Sequence, residues 1–522
     1  MIREIFRRKC LRLWLCKPEY MERTKWENRF VLLRFWKKNY MMFLKDLKRF
    51  KMERLYDKLK AYSESDFYAF HMPGHKRNKA LLGIELPYDL DITEIDGFDD
   101  LHHADGILKE EQERAARVFG AEESHFLVNG STAGILSAVM GCTHRGDKIL
   151  VARHCHKSIY HAIYMNGLVP RYVYPEFDIS MHMNGEISKE DVAKALAAEP
   201  DIKAVVIVSP NYDGVVSDVK GIAEVAHSYR IPLIVDEAHG PHFGFHPVFP
   251  ERANDLGADV VINSLHKTLP SLTQTAILHI NGKIVNRRRI KKYLDMLQSS
   301  SPSYIFMASL DTCVDFVDGK CENAFELYVE RLQKFREELE PLQHLQILRT
   351  EHYDISKVVI STANANITSP ELADRLRKEY HLEMEMTGGT YVLAMTTVAD
   401  TQEGLDRLKA ALLEIDGQLE AKTAVSESIE ISGELPRLEQ YFTPQEAADR
   451  EEDGEAEEIP WKESEGHISL EYAYLYPPGS PVIVPGERIS REAVELLCYY
   501  ETQNLQIEGI QTEGKIKVWK HE

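Results

Sequence analysis

Residues 231–239 read Ile231-Pro232-Leu233-Ile234-Val235-Asp236-Glu237-Ala238-His239. The apolar run does not alternate, opens at a proline and closes on an acid. That pattern predicts a short strand buried on both faces, as in a parallel sheet. Outward from it, Ala204–Ser209 and Val260–Asn263 repeat the pattern, and Val219–Ser228 between them has helical spacing. Further strands are expected at His125–Val128, Lys148–Ala152 and Thr275–Ile280, with helices at Ala133–Met140 and Ser188–Ala198. Strand and helix in alternation predict an α/β fold, a mostly parallel sheet with helices on both faces.

The C-terminal part differs. Short strand patterns at Lys357–Ser361, Glu383–Met386 and Tyr391–Thr396 alternate with helical ones at Glu371–Glu379 and Gln402–Ile415. This predicts a smaller α+β domain, reached through a helix near Glu326–Gln343. The acidic run 445–458 reads as a solvated linker. Residues 473–487 are apolar and rich in Pro and Gly. The expected division is a basic extension at 1–51, a large domain at 52–320 and a small domain at 321–522.

The chain has 522 residues, 63 Lys and Arg against 83 Asp and Glu, and a net charge of −20. Such an acidic balance argues against a nucleic-acid-binding role. Residues 1–51 alone carry about +11. A membrane-surface helix, a partner arm and an over-called start compete for them. We favour the last, since a domain-like sequence begins at Met52-Glu53-Arg54-Leu55-Tyr56. No stretch approaches the ~20 apolar residues of a membrane span. The seven cysteines form no C-x-x-C pair, which suits free thiols in a reducing cytoplasm.

Four features fall at ends of predicted strands, where open α/β sheets place ligands. Asn129-Gly130-Ser131-Thr132 opens a helix whose N-terminus, with the Ser131 and Thr132 hydroxyls, suits a phosphate. Asp236 is a carboxylate at a buried strand end and calls for a cationic partner, such as a protonated ring nitrogen. In Ser264-Leu265-His266-Lys267-Thr268, Lys267 is a candidate nucleophile of lowered pKa, flanked by Ser264 and His266 as phosphate donors. In Arg153-His154-Cys155-His156-Lys157, a flat imidazole could stack on an aromatic ligand. Each feature has a plain alternative: an N-cap, a capping Asp, a surface Lys. Their spacing lacks the pairs of a zinc site, and no metal is expected. A G-x-G-x-x-G loop is absent after the first strand. Together the set suits pyridoxal 5'-phosphate, with Lys267 bonded to it and Asp236 on its nitrogen.

The sequence resembles the Orn/Lys/Arg decarboxylases, pyridoxal phosphate enzymes of the aspartate aminotransferase-like fold, and most of all their short bacterial form. The resemblance runs over about residues 52–515. Its motifs are Phe70-His71-Met72-Pro73-Gly74-His75-Lys76, Gly97-Phe98-Asp99-Asp100-Leu101-His102, Asn129-Gly130-Ser131-Thr132, His154-Cys155-His156-Lys157-Ser158, Asp236-Glu237-Ala238-His239, Ser264-Leu265-His266-Lys267-Thr268 and Pro485-Gly486-Glu487. It implies that Lys267 carries the cofactor, Asp236 holds its ring nitrogen protonated and His156 stacks on the ring. Ser131, Thr132, Ser264 and His266 would bind the phosphate, and His239 would lie close to the ring. Residues 299–304 resemble the stretch that reaches a neighbouring subunit's cofactor. A homodimer or higher homo-oligomer with shared sites follows from that.

The implied activity is decarboxylation of a basic amino acid, arginine before lysine or ornithine, feeding polyamine synthesis. A basic substrate side chain wants a carboxylate, for which Glu487 and Glu94 are candidates. Two rivals stay open. An aminotransferase would share Lys267 and Asp236 but need an Arg clamp; Arg375 and Arg377 read as helical and solvated. A non-catalytic relative would bind a partner through its basic arm.

Overall fold

The computed structural model describes residues 54–81, 83–178, 183–421, 434–475, 479–502 and 507–520. The chain divides into two compact units, residues 1–58 and 59–522. Of the first, the described part is residues 54–58, which enter helix Leu55–Ser63. The readings made for residues 1–51 lie outside the described residues.

The second unit is built on a seven-stranded sheet. Its strands are β1 (Glu123–Leu127), β2 (Lys148–Ala152), β3 (Val169–Val173), β4 (Val205–Val208), β5 (Leu233–Asp236), β6 (Val260–Asn263) and β7 (Ala276–Ile280). They lie in the order β1-β7-β6-β5-β4-β2-β3. The run from β6 to β3 is parallel. β7 is antiparallel to both its neighbours, so one of the expected strands breaks the parallel set. Every residue of β4, β5 and β6 is buried, as their unbroken apolar sequences require.

Helices cover the sheet. α1 (Gly130–Cys142) is apolar on all sides and largely buried. It packs against α2 (Arg287–Leu297) so closely that a Cβ on Gly141 would lie 2.8 Å from the Ile290 Cα. Other helix starts follow capping rules: Ser188 accepts from the Asp191 N–H, and Asp218 from the Gly221 N–H.

A second sheet contains β8 (Gln346–Ile347), β9 (Lys357–Ser361), β10 (Met386–Thr387) and β11 (Tyr391–Met395), in the order β8-β9-β11-β10. Helices Ser369–Tyr380 and Gln402–Asp416 accompany it, as expected. On the first, Arg375 bonds Gln418 at 2.7 Å and Arg377 bonds Asp374 at 2.7 Å, so both are held on the helix surface.

The run 445–458, expected to be a linker, folds. Thr443 and Glu446 form a capping box with Pro444 at the first position, which starts helix Pro444–Glu452. Ala456–Pro460 then pairs antiparallel with Lys515–Trp519. Of the acids in the run, Glu446 lies in the first helical turn, where it complements the dipole and completes the capping box. No helix among the described residues is long and apolar enough to cross a membrane.

Candidate functional site

The ends of β5 and β6 bring the predicted residues together. Lys267 lies on the helical turn Leu265–Thr268 that follows β6. Its Nζ is 2.8 Å from Nε2 of His239, three residues beyond the end of β5. Asp236 is the last residue of β5 and is buried. Its Oδ1 accepts from the Ala238 N–H at 3.1 Å.

The electrostatics are those of a dry pocket. Burial pushes the Lys267 amine below its ordinary pKa, against the pull of Asp236 and Glu385. Burial raises the Asp236 carboxyl, and the charge of Lys267 opposes it. His239 is driven well below the usual imidazole range by burial, then by two lysines, and is neutral. His156 drops to about 4 through burial and the charges of Lys267 and Lys157. It caps helix Lys157–Met165, with its Nδ1 accepting from the Ser158 N–H.

A second cluster lies one turn away. Ser131 and Thr132 occupy the first turn of α1, where the Asn129 side chain makes no cap. Ser131 Oγ meets Ser264 Oγ at 2.5 Å, and the Ser264 carbonyl accepts from the Lys267 N–H. His266 turns its Nδ1 to the Thr275 carbonyl at 2.9 Å. The uncapped amides of a 13-residue helix and two hydroxyls therefore converge on one spot, a ready site for an anion.

The sequence reading missed three residues. Lys357 opens β9 and sends its Nζ to within 3.0 Å of His239 Nδ1. It is fully buried and pushed down to about 8 by that burial. Tyr212 packs its ring 4.5 Å from the His239 ring, and its hydroxyl donates to Glu385. The sequence marks Lys357 only as a lysine heading an otherwise apolar strand, which does not tell a buried side chain from a solvated one.

Of the two substrate candidates, Glu487 is taken by another partner and Glu94 lies at the surface. Glu487 is fully buried, and its Oε2 accepts from Arg153 at 2.9 Å and from the Val484 N–H at 2.8 Å. Glu94 is exposed, and its charge is felt at Tyr304. In the motif around Pro73, His71 bonds Tyr62 and His75 bonds Asp91.

Comparison with known proteins extends this geometry. The model of the Orn/Lys/Arg decarboxylase major domain matches residues 53–420, and that of the family's C-terminal domain matches 432–514. The arginine decarboxylase of Bacillus subtilis is 33% identical over 471 residues, covering 87% of this chain and 95% of that protein. The arginine decarboxylase of Bacillus anthracis is 32% identical, covering 89% and 97%. The structure of the Francisella novicida lysine decarboxylase LdcF superposes with a TM-score of 0.77 at 21% identity, over 89% of this chain and 81% of that one, which shows the shared fold. With both family domains matched in order and near-full-length relatives at about one-third identity, the chain belongs to the Orn/Lys/Arg decarboxylase family and is a decarboxylase.

Proposed function

We propose that this enzyme decarboxylates arginine with pyridoxal 5'-phosphate. The observation that carries the reading is a half-buried Lys267 of lowered pKa beside His239, with Asp236 on the neighbouring strand end. The relatives named arginine decarboxylase, at about one-third identity, support arginine over lysine.

The residues fit the cofactor. The uncapped start of α1 and the paired Ser131 and Ser264 hydroxyls suit a phosphate, with Thr132 and His266 beside them. Asp236 is a buried carboxylate whose cost of burial falls when it faces a protonated ring nitrogen. When bound, the cofactor supplies an electron sink for the carbon that loses CO₂.

The protein's own work is then local. Lys267, as a free amine, would be the residue that holds the cofactor and that releases the product. Asp236 would hold a proton at the ring nitrogen, and its burial would strengthen that pairing. His156, neutral at working pH, offers a flat face for stacking. For the cationic end of the substrate, Arg153 already takes Glu487. Glu94 remains a candidate, and Glu385 joins it because its charge reaches both lysines.

We read the enzyme as a homodimer or higher homo-oligomer with shared sites. Phe67, Tyr68 and Phe70 are 69%, 70% and 90% exposed just before His71, a surface suited to a second copy. Five free cysteines among the described residues suit the cytoplasm. The amine product would serve polyamine synthesis.

The test is a visible spectrum of the purified chain, then arginine, lysine and ornithine in turn with CO₂ detection. A cofactor band lost in Lys267→Ala and CO₂ from arginine support the reading. CO₂ from lysine alone reassigns the substrate. A keto acid without CO₂, or no band, sinks it.

A further inference from the structure

The His239 ring lies between two amines, Lys267 Nζ at 2.8 Å from Nε2 and Lys357 Nζ at 3.0 Å from Nδ1. The two lysines come from different sheets, one after β6 and one at the head of β9. All three groups are enclosed. Gly214, at φ +108°, passes so near that a Cβ there would come 2.7 Å from the Lys357 Cγ.

Hydrogen-bond chemistry restricts this arrangement. A neutral imidazole has one N–H and one lone pair, while an ammonium has N–H groups only. A neutral ring held between two ammonium groups would point its N–H at another N–H. At least one of the two amines is therefore unprotonated. A protonated ring would need both to be, and burial with two lysines beside it disfavours that form.

The surrounding charges choose which amine keeps its proton. Asp354, Glu385 and Asp213 face Lys357, and Lys267 is the opposing cation. Asp354 is itself held as a carboxylate by His242, Lys357 and Ser356 despite its burial. Its Oδ1 is 3.1 Å from His242 Nε2, and its Oδ2 accepts from the Ser356 hydroxyl at 2.7 Å. Facing Lys267 are Asp236 and Glu385, together with the three imidazoles His239, His156 and His266.

We propose that Lys357 is a positioning residue that acts through His239 to keep the Lys267 amine unprotonated and to return a proton to it when needed. Lys357 donates to Nδ1, which fixes the Nε2–H tautomer, and that N–H donates to the Lys267 lone pair. In the relay a Lys357 N–H bond breaks as the Nδ1–H bond forms. The Nε2–H bond breaks as a Lys267 N–H bond forms. One positive charge moves from Lys357 to Lys267, and nothing is oxidised or reduced. The inference rests on the reading of Lys267 as the reactive amine.

The experiment is trace acylation of the full chain, stripped of cofactor, with acetic anhydride across a pH series. The modification at Lys267 is quantified by mass spectrometry. In Lys357→Met, which keeps the stem but not the charge, the Lys267 midpoint rises by about one pH unit, ~tenfold less free amine near neutrality. An unchanged midpoint in a variant with wild-type melting behaviour overturns the proposal. If Lys357→Met does not fold, nitrogen-15 NMR of the wild-type chain decides. The His239 signal, identified by its contact with the Tyr212 ring, shows the Nε2–H tautomer if the proposal holds and the Nδ1–H tautomer if it does not. Both measurements are made without cofactor. They can fail while the visible band and its loss in Lys267→Ala stand, or the reverse.

Discussion

Arg153 and Glu487 form a fully buried ion pair, Nη2 to Oε2 at 2.9 Å, across 334 residues of chain. Arg153 follows β2, and its Nη2 also donates to the Val482 carbonyl at 3.0 Å. The guanidinium lies over the Tyr172 ring at 4.8 Å. Removing one partner strands the other charge in the interior. Arg153→Met should cost about 3–5 kcal/mol in urea denaturation, and the double variant Arg153→Met/Glu487→Met should cost less than either single one. A double variant at the sum of the singles would show that the two charges do not depend on each other.

Glu237 links stability to pH. Its Oε1 accepts from the Ala253 N–H and its Oε2 from Asn263, yet burial lifts its pKa from 4.5 to about 8. The folded chain therefore holds a proton that the unfolded chain has lost. Its contribution is fully present below about pH 4.5 and is lost as pH rises through about 8. Between pH 5.5 and 8.5 the wild type should lose stability on the order of a few kcal/mol. Glu237→Gln should flatten that slope. Parallel slopes for the two proteins would remove Glu237 as the cause.

Asp236→Asn keeps the shape of the β5 end but removes its charge. We expect kcat to fall by ~10²-fold or more, with KM changed far less, because the loss is felt as charge develops in the reaction. Steady-state CO₂ release measures it. A drop confined to KM would assign Asp236 to binding alone.

Thr443→Ala tests the helix found in place of a linker. Loss of both halves of its capping box should cost ~1 kcal/mol. Amide exchange should quicken in 444–452 while β4 to β6 stay protected. A chain with no change in either would return the acidic run to the solvated reading.

The strands around Asp236 were legible because burial on both faces leaves no alternation to confuse; β2, β5 and β6 have the bounds expected from sequence. The reading of a mostly parallel sheet holds but left the direction of β7 unassigned. Twelve residues separate Asn263 from Ala276, and the four-residue turn Leu265–Thr268 is their only helix, at the lower limit of a parallel crossover. β3 escaped notice because Pro170 weakens a strand pattern, and it lies at the sheet edge where proline is tolerated. Of the site, the residues at strand ends were readable from local patterns, and their placement beside one another follows from the sheet. Lys357 was not readable, since its partner His239 lies 118 residues away and nothing local distinguishes a buried lysine from a solvated one. Glu487 illustrates the converse. Its Pro-Gly turn was visible, but whether its carboxylate faced substrate or Arg153 depended on packing between distant segments.

The meeting of Ser131 with Ser264 has a consequence for the lifetime of the protein. These hydroxyls belong to two helix starts separated by 133 residues. An anion bound beside them would act as a removable clasp, adding to their own hydrogen bond in closing a long loop. Ligand bound only to the folded form adds stability in proportion to the logarithm of its concentration. If that anion is the phosphate of the proposed cofactor, scarcity of cofactor would lower the stability of the polypeptide as well as silence it.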